Sequence, residues 1–192
     1  QTFRNYLFDG NERFGAYIYR ATPSRFSGNR FVGNPTGLMV SHQGSAPRIE
    51  DNLFRDNELG DLVDRAARPS IAGNRLVGNG TALRLYRRSD APVEGNLFER
   101  NKVAVSIAYS SYPRLLGNDF AGNGTGLFLE FQSSDWERLR GAQTRKQQMG
   151  GQGAFGQGRP ATASAPVPAA SAPQSLDGHV DARGNNNCTR DW

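Results

Sequence analysis

The stretch GNRFVGNPTGLMV, residues 28–40, returns in altered form through the first two thirds of the chain. Its second asparagine falls at Asn11, Asn34, Asn57, Asn79, Asn101 and Asn123, in steps of 23, 23, 22, 22 and 22 residues. Chance does not hold such a register. A fixed short period restricts a chain to architectures built by stacking one small unit on the next.

The other columns keep the same step. The first asparagine recurs at Asn29, Asn52, Asn74, Asn96 and Asn118, with Tyr6 in its place in the first copy. Two residues later stands a large apolar side chain (Phe8, Phe31, Phe54, Leu76, Phe98, Phe120), and three residues earlier another (Phe3, Phe26, Ile49, Ile71, Val93, Leu115). After the second asparagine comes a small residue and then alternation, as in Leu38 and Val40, Leu83 and Leu85, Val105 and Ile107, Leu127 and Leu129.

Period-two alternation marks strands, and three short strands with their turns fill about 22 residues. A unit this small cannot bury its own apolar face, so copies must stack and share a core. The expected fold is all-β, a right-handed parallel β-helix of about six coils with three short strands per coil. A leucine-rich-repeat horseshoe needs a helical segment that no copy has room to hold. The asparagines then fall at corners, where tolerance of the left-handed conformation suits them and where amides stacked about 4.8 Å apart form a ladder. Pro47, Pro69 and Pro113, with Pro23 and Pro92 shifted by one, fit strand starts. Asp61 breaks the pattern, standing where other copies carry Leu38, Leu83, Val105 or Leu127. The expectation is a slip of one residue that points Leu62 inward, because an unpaired buried carboxylate is costly.

The repeat fades after Leu129, and residues 1–141 are read as the β-helix. Residues 142–175 are rich in Gln, Gly, Ala, Pro and Ser and read as a low-complexity loop or linker. Residues 176–192, ending in Trp192, read as a return segment that caps the last coil. The chain enters its repeat at Gln1 without a leader-like segment, which suggests that a leader was removed or that an upstream region is missing.

The iterated N-x-F-x-x-N-x-x-G-L-x-V and P-x-I-x-x-N segments over roughly residues 1–130 resemble those of the NosD-like β-helix proteins, a branch of the pectin-lyase-like superfamily. The tail ARGNNNCTRDW resembles the segment that follows the coils in that branch, matching at Arg183, Gly184, Asn185 and Asp191 and departing at Asn187. The resemblance implies a periplasmic or extracellular protein that accompanies copper assembly of a partner enzyme. Related repeats in carbohydrate-binding and sugar-modifying proteins imply a second class. Such repeats report fold far better than function.

Composition narrows the chemistry. Twenty-three basic residues, nearly all arginine, against 18 acidic ones give a net charge of +5, suited to bidentate contact with carboxylate or phosphate. The basic residues are dispersed, apart from a cluster at Arg138, Arg140, Arg145 and Lys146, which argues against specific nucleic-acid binding. No apolar run reaches the length of a transmembrane helix. Cys188 is the single cysteine, so neither an internal disulfide nor a paired-cysteine metal site can form within this sequence. The soft donors Met39, His42, Met149, His179 and Cys188 are scattered. No cofactor is therefore expected from the residues, and copper enters chiefly through the resemblance.

Outward-facing rows on the longest strand, with the positions just beyond its end, hold the candidate ligand-binding residues Tyr17, Tyr19, Arg84, Tyr86, Arg87 and Tyr109. Tyrosine and arginine suit both sugar stacking with uronate pairing and anchoring of a protein partner. Asp64, Tyr86 and Arg87, with His42 one coil earlier, form the candidate set for lyase or epimerase chemistry, which needs a converging acid and base. Paired acids of the glycosidase type are absent. The leading expectation is an exported, non-enzymatic binding or assembly-accessory module with a protein partner. The alternative is a binding or modifying protein for acidic polysaccharide.

Overall fold

The computed structural model describes residues 1–21 and 25–130. The linker and cap assignments at 142–175 and 176–192 lie outside the described residues, as do the end of the β-helix assignment beyond 130, Met149, His179, Cys188 and Trp192.

Among the described residues eighteen parallel strands form three six-stranded sheets, and each coil gives one strand to each sheet. Sheet one holds β1 (Thr2–Arg4), β4 (Arg25–Ser27), β7 (Arg48–Glu50), β10 (Ser70–Ala72), β13 (Pro92–Glu94) and β16 (Arg114–Leu116). Sheet two holds β2 (Leu7–Asp9), β5 (Arg30–Val32), β8 (Leu53–Arg55), β11 (Arg75–Val77), β14 (Leu97–Glu99) and β17 (Asp119–Ala121). Sheet three holds the six-residue strands β3 (Phe14–Tyr19), β6 (Thr36–Ser41), β9 (Leu59–Asp64), β12 (Thr81–Tyr86), β15 (Val103–Ala108) and β18 (Thr125–Glu130). The chain is thus a three-sided parallel β-solenoid of about six turns.

Like residues lie over like. Phe8, Phe31 and Phe54 stack with ring centroids 4.7 Å apart and planes 6° from parallel. Phe98 and Phe120 continue that column beyond Leu76. Phe31, Phe54 and Phe98 are fully buried, so the aromatic of the repeat is core, and burying a side chain of this kind is worth roughly 1.5–3 kcal/mol.

Both asparagine columns form buried ladders. In each step the amide Nδ2 and the backbone N–H of one asparagine donate to Oδ1 of the next, as from Asn52 to Asn74 at 3.0 and 2.9 Å and from Asn57 to Asn79 at 3.0 and 3.0 Å. Nδ2 also reaches a carbonyl of the preceding coil, as from Asn79 to Phe54 O at 3.0 Å. One side chain thus ties three coils together and uses both of its donors and both acceptor positions. Tyr6 keeps only the backbone part of this pattern, its N–H donating to Asn29 Oδ1.

Three expectations need correction. The ladder asparagines are not the left-handed residues. Positive φ falls on the residue just before, at Asn5, Gly28, Asp51, Gly73, Gly95 and Gly117 for one corner and at Gly10, Gly33, Asp56, Gly78, Arg100 and Gly122 for the next. The turn is made there, which lets the following asparagine aim its amide along the stack. Among the described residues, proline at a strand's first residue holds for Pro92, whereas Pro47, Pro69 and Pro113 stand one residue before their strands, and Pro23 lies outside the described residues.

The third correction concerns Asp61, which does not slip outward. It pairs in register with Leu38 on one side and Leu83 on the other and is fully buried, while Leu62 takes the outward row beside Met39 and Arg84. A slip would turn every side chain of β9 over, pulling Val63 out of its buried place between Val40 and Leu85. The ladder at Asn57, two residues before the strand, holds the register against that change. The protein therefore keeps a carboxyl in its core. Neither oxygen has a hydrogen-bond partner of normal geometry. Burial pushes the group up to about 8, an effect that the nearby Leu62 N–H opposes in part.

Candidate functional site

Sheet three ends in the third corner, and there the sequence treats the backbone differently. Arg20, His42, Arg65, Arg87 and Tyr109, one per coil, all have φ between 45° and 76°. Ala66, Arg88 and Ser110 follow their neighbours into the same region. The other two corners use glycine at most of their left-handed positions, whereas this one carries large side chains at five successive coils. A non-glycine residue in that conformation costs on the order of 1 kcal/mol.

The outward rows fall where the alternation puts them: Tyr17, Met39, Leu62, Arg84, Ser106 and Phe128 lie in register, as do Tyr19, Ser41, Asp64 and Tyr86. Of the candidates, Arg87 bonds to Asp64 directly, and His42 and Tyr86 reach it through Arg65 and Arg87. Arg87 clamps this carboxylate from the next coil, its Nε and Nη2 donating to the two oxygens at 2.7 and 2.6 Å. Arg65 Nε stands 3.7 Å from the same group. The side chain of Asp64 is only 2% exposed, against 39% for Arg87 and 49% for Arg65. Solvent meets the guanidinium groups and not the anion that holds them.

His42 is tied to the same cluster. Arg65 Nη1 donates to its Nε2 at 3.1 Å, so Nδ1 carries the proton and donates to Ser41 Oγ at 2.7 Å. Loss of solvation, with Arg65 and Arg20 close by, holds its pKa below the usual 6.5, and the nearby Asp64 offsets this in part. The imidazole is neutral at pH 7 with both nitrogens engaged.

The aromatic candidates pack with cations and with one another. Tyr86 has Arg84 on it at 5.0 Å and Arg87 at 4.8 Å, and it meets Tyr109 edge-on at 4.4 Å. Burial, and then a hydrogen bond with Tyr109, raises the Tyr86 phenol above its ordinary value. Tyr19 has Arg20 over its ring at 5.4 Å and the edge of His42 at 4.5 Å. Tyr17 lies apart from the Asp64 cluster, beside Phe14 and Tyr19. Ser41, Arg20 and Arg65 belong to the constellation, although the sequence reading singled out neither Ser41 nor the two corner arginines as site residues. The signal that could have found the arginines is their recurrence with His42 in one column just past each long strand.

As a metal-binding set these residues fit poorly. Among the described residues no group of three or more His, Cys, Asp or Glu side chains could hold an ion. His42 has both nitrogens occupied and three arginines near it, and Met39 sits in the outward row between Tyr17 and Leu62. No helix among the described residues is long and apolar enough to cross a membrane.

The stacked coils, the two amide ladders and the outward Tyr/Arg face define a three-sided parallel β-solenoid with a built corner on one edge. The model of the NosD family, described as periplasmic copper-binding protein, matches residues 1–145, and the chain belongs to that family. No curated protein and no solved structure matches it.

Proposed function

We propose that this chain is an exported, non-enzymatic member of the NosD family whose third corner recognises a protein partner, with copper as a cargo held outside the described coils. The observation that carries the reading is the state of Asp64. The acid of the candidate catalytic set is buried beneath Arg87 and spent on a bidentate ion pair, so it has no route to a substrate proton. Tyr86, with its raised pKa, is no better a base, and neutral His42 has both nitrogens committed. What the corner offers is ordered arginine and tyrosine, the side chains that anchor protein interfaces. The family's description as periplasmic and copper-binding supports export and a link to copper. The misfit of His42 and Met39 supports a cargo held elsewhere.

A photocrosslinking residue at position 109, introduced into the full chain in its native host, tests this. The expected result is one dominant protein adduct in the periplasm. Absence of any adduct there, or turnover of a uronate polymer by the purified chain, would overturn the reading. For copper, His42→Ala is expected to leave Cu(I) uptake from a chromophoric chelator unchanged. A loss of uptake would place copper in the coils and refute that part.

A further inference from the structure

We propose that the third corner is a docking ridge for an acidic polypeptide segment of the partner, which lies along the solenoid axis and pairs its carboxylates with Arg20, Arg65 and Arg87. The inference rests on the partner-recognition reading above and names the chemistry of what is recognised. Three independent observations carry it.

First, the backbone pays for these side chains. All five corner positions from Arg20 to Tyr109 are left-handed and none is glycine. Glycine would adopt the same turn with no steric cost, and the other corners show that this chain uses it freely. Strain of this sort that persists over successive coils marks residues kept for their side chains.

Second, charge is displayed in one sense. Arg65 and Arg87 are substantially exposed while Asp64, the counter-ion they share, is hidden. Two guanidinium groups around one carboxylate, with exposed Arg20 two coils away from Arg65, leave the edge net positive. Successive coils repeat about every 4.8 Å, so cations follow one another along the edge at spacings that an extended acidic chain can meet. Arginine adds a fork that takes carboxylates bidentately.

Third, Tyr86 and Tyr19, the tyrosines beside the corner arginines, already carry guanidinium groups. Sugar recognition on a β-helix face needs open tyrosine faces for ring stacking. Tyr86 is instead flanked by Arg84 and Arg87, and Tyr19, half exposed, has Arg20 against its ring. These rings brace guanidinium groups, which stiffens the cations and lowers the entropy lost when they bind. The occupant favoured is therefore an acidic peptide and not an acidic glycan.

The test uses the full chain at near-physiological salt and fluorescence anisotropy with three labelled probes: a short poly-Glu peptide, its poly-Gln counterpart, and an oligogalacturonate. Poly-Glu is expected to bind saturably, with poly-Gln and oligogalacturonate weaker by about tenfold or more. Arg20→Glu/Arg65→Glu, which removes exposed corner charge and leaves the Arg87–Asp64 pair in place, should lower poly-Glu affinity by a similar factor. Arg30→Glu, an exposed residue on sheet two, should change it by less than about twofold. Equal loss in both variants means attraction to net charge alone and overturns the ridge. Tighter binding of oligogalacturonate overturns the choice of occupant. If the periplasmic adduct at position 109 survives in Arg20→Glu/Arg65→Glu while poly-Glu fails to bind, the acidic-segment inference falls and the partner-recognition reading stands.

Discussion

Replacing Asp61 by leucine should remove most of the pH dependence of this protein's stability in the neutral range. The folded state holds the carboxyl up to about 8 from an ordinary 3.8, with desolvation as the main cause. In the unfolded chain the group loses its proton from about pH 4 upward, while in the folded core it keeps it to about pH 8. Folding then takes up a proton across that window, and stability falls as pH rises, at up to about 1.4 kcal/mol per unit. Four units of separation give a total loss of roughly 5 kcal/mol, with little further change above pH 8. That is a large share of the 5–15 kcal/mol typical of a domain. Asp61→Leu matches the neighbouring column residues Leu38 and Leu83 and should flatten the profile. Urea melts followed by far-UV circular dichroism at pH 5 and pH 8 are the assay. The parent is expected to lose ~4 kcal/mol relative to the variant between those two values. Parallel profiles for the two proteins would refute the placement of an unpaired carboxyl in the core.

Other outcomes follow from the same geometry. Asn79→Ala strips the Asn57 N–H and Nδ2 of their acceptor and Phe54 O of its donor, so it should cost ~3 kcal/mol or more in a denaturant melt, because buried polar groups lose their partners. Gly37→Ala places a Cβ 2.6 Å from the Gly60 carbonyl oxygen and close to Phe31 and Phe54, and a loss of about 1–3 kcal/mol is expected on the same assay. His42, with its pKa lowered by lost solvation and nearby arginines, should show an NMR titration midpoint below 6.5. The sign for stability is that the unfolded histidine takes its proton first, so this residue destabilises the fold only as pH drops through the acid side of that value.

The solenoid was legible because its determinants are backbone-like. A buried asparagine amide must find its partners one coil away, and stacked phenylalanines must share one column, so spacing alone carries the geometry. The left-handed positions were also readable in principle. Gly28, Gly33, Gly73 and Gly78 each precede a ladder asparagine, and the pairing of a free-φ residue with an aimed amide is a local signal. Asp61 was misread because its own cost was weighed without the neighbours that hold β9 in place, Asn57 and Val63 among them. At the site, the rows were legible but the bonds were not. Asp64 and Arg87 are 23 residues apart, as are His42 and Arg65. Whether such pairs close depends on how the corner swings each side chain, which alternation does not encode.

The asparagine-to-asparagine bonds run one way, from each coil to the Oδ1 of the following one, so the ladder coils present the same upper and lower face to their neighbours. A turn of this chain is therefore an interchangeable cassette. Gain or loss of one whole period would leave the junction chemistry unchanged, whereas a cut of any other length would strand amides on both sides. Lengthening by duplication is the route such a molecule has open to it, and the corner, where residues 42–47 form a longer link than residues 65–69, is where a stray extra residue can be absorbed without disturbing either ladder.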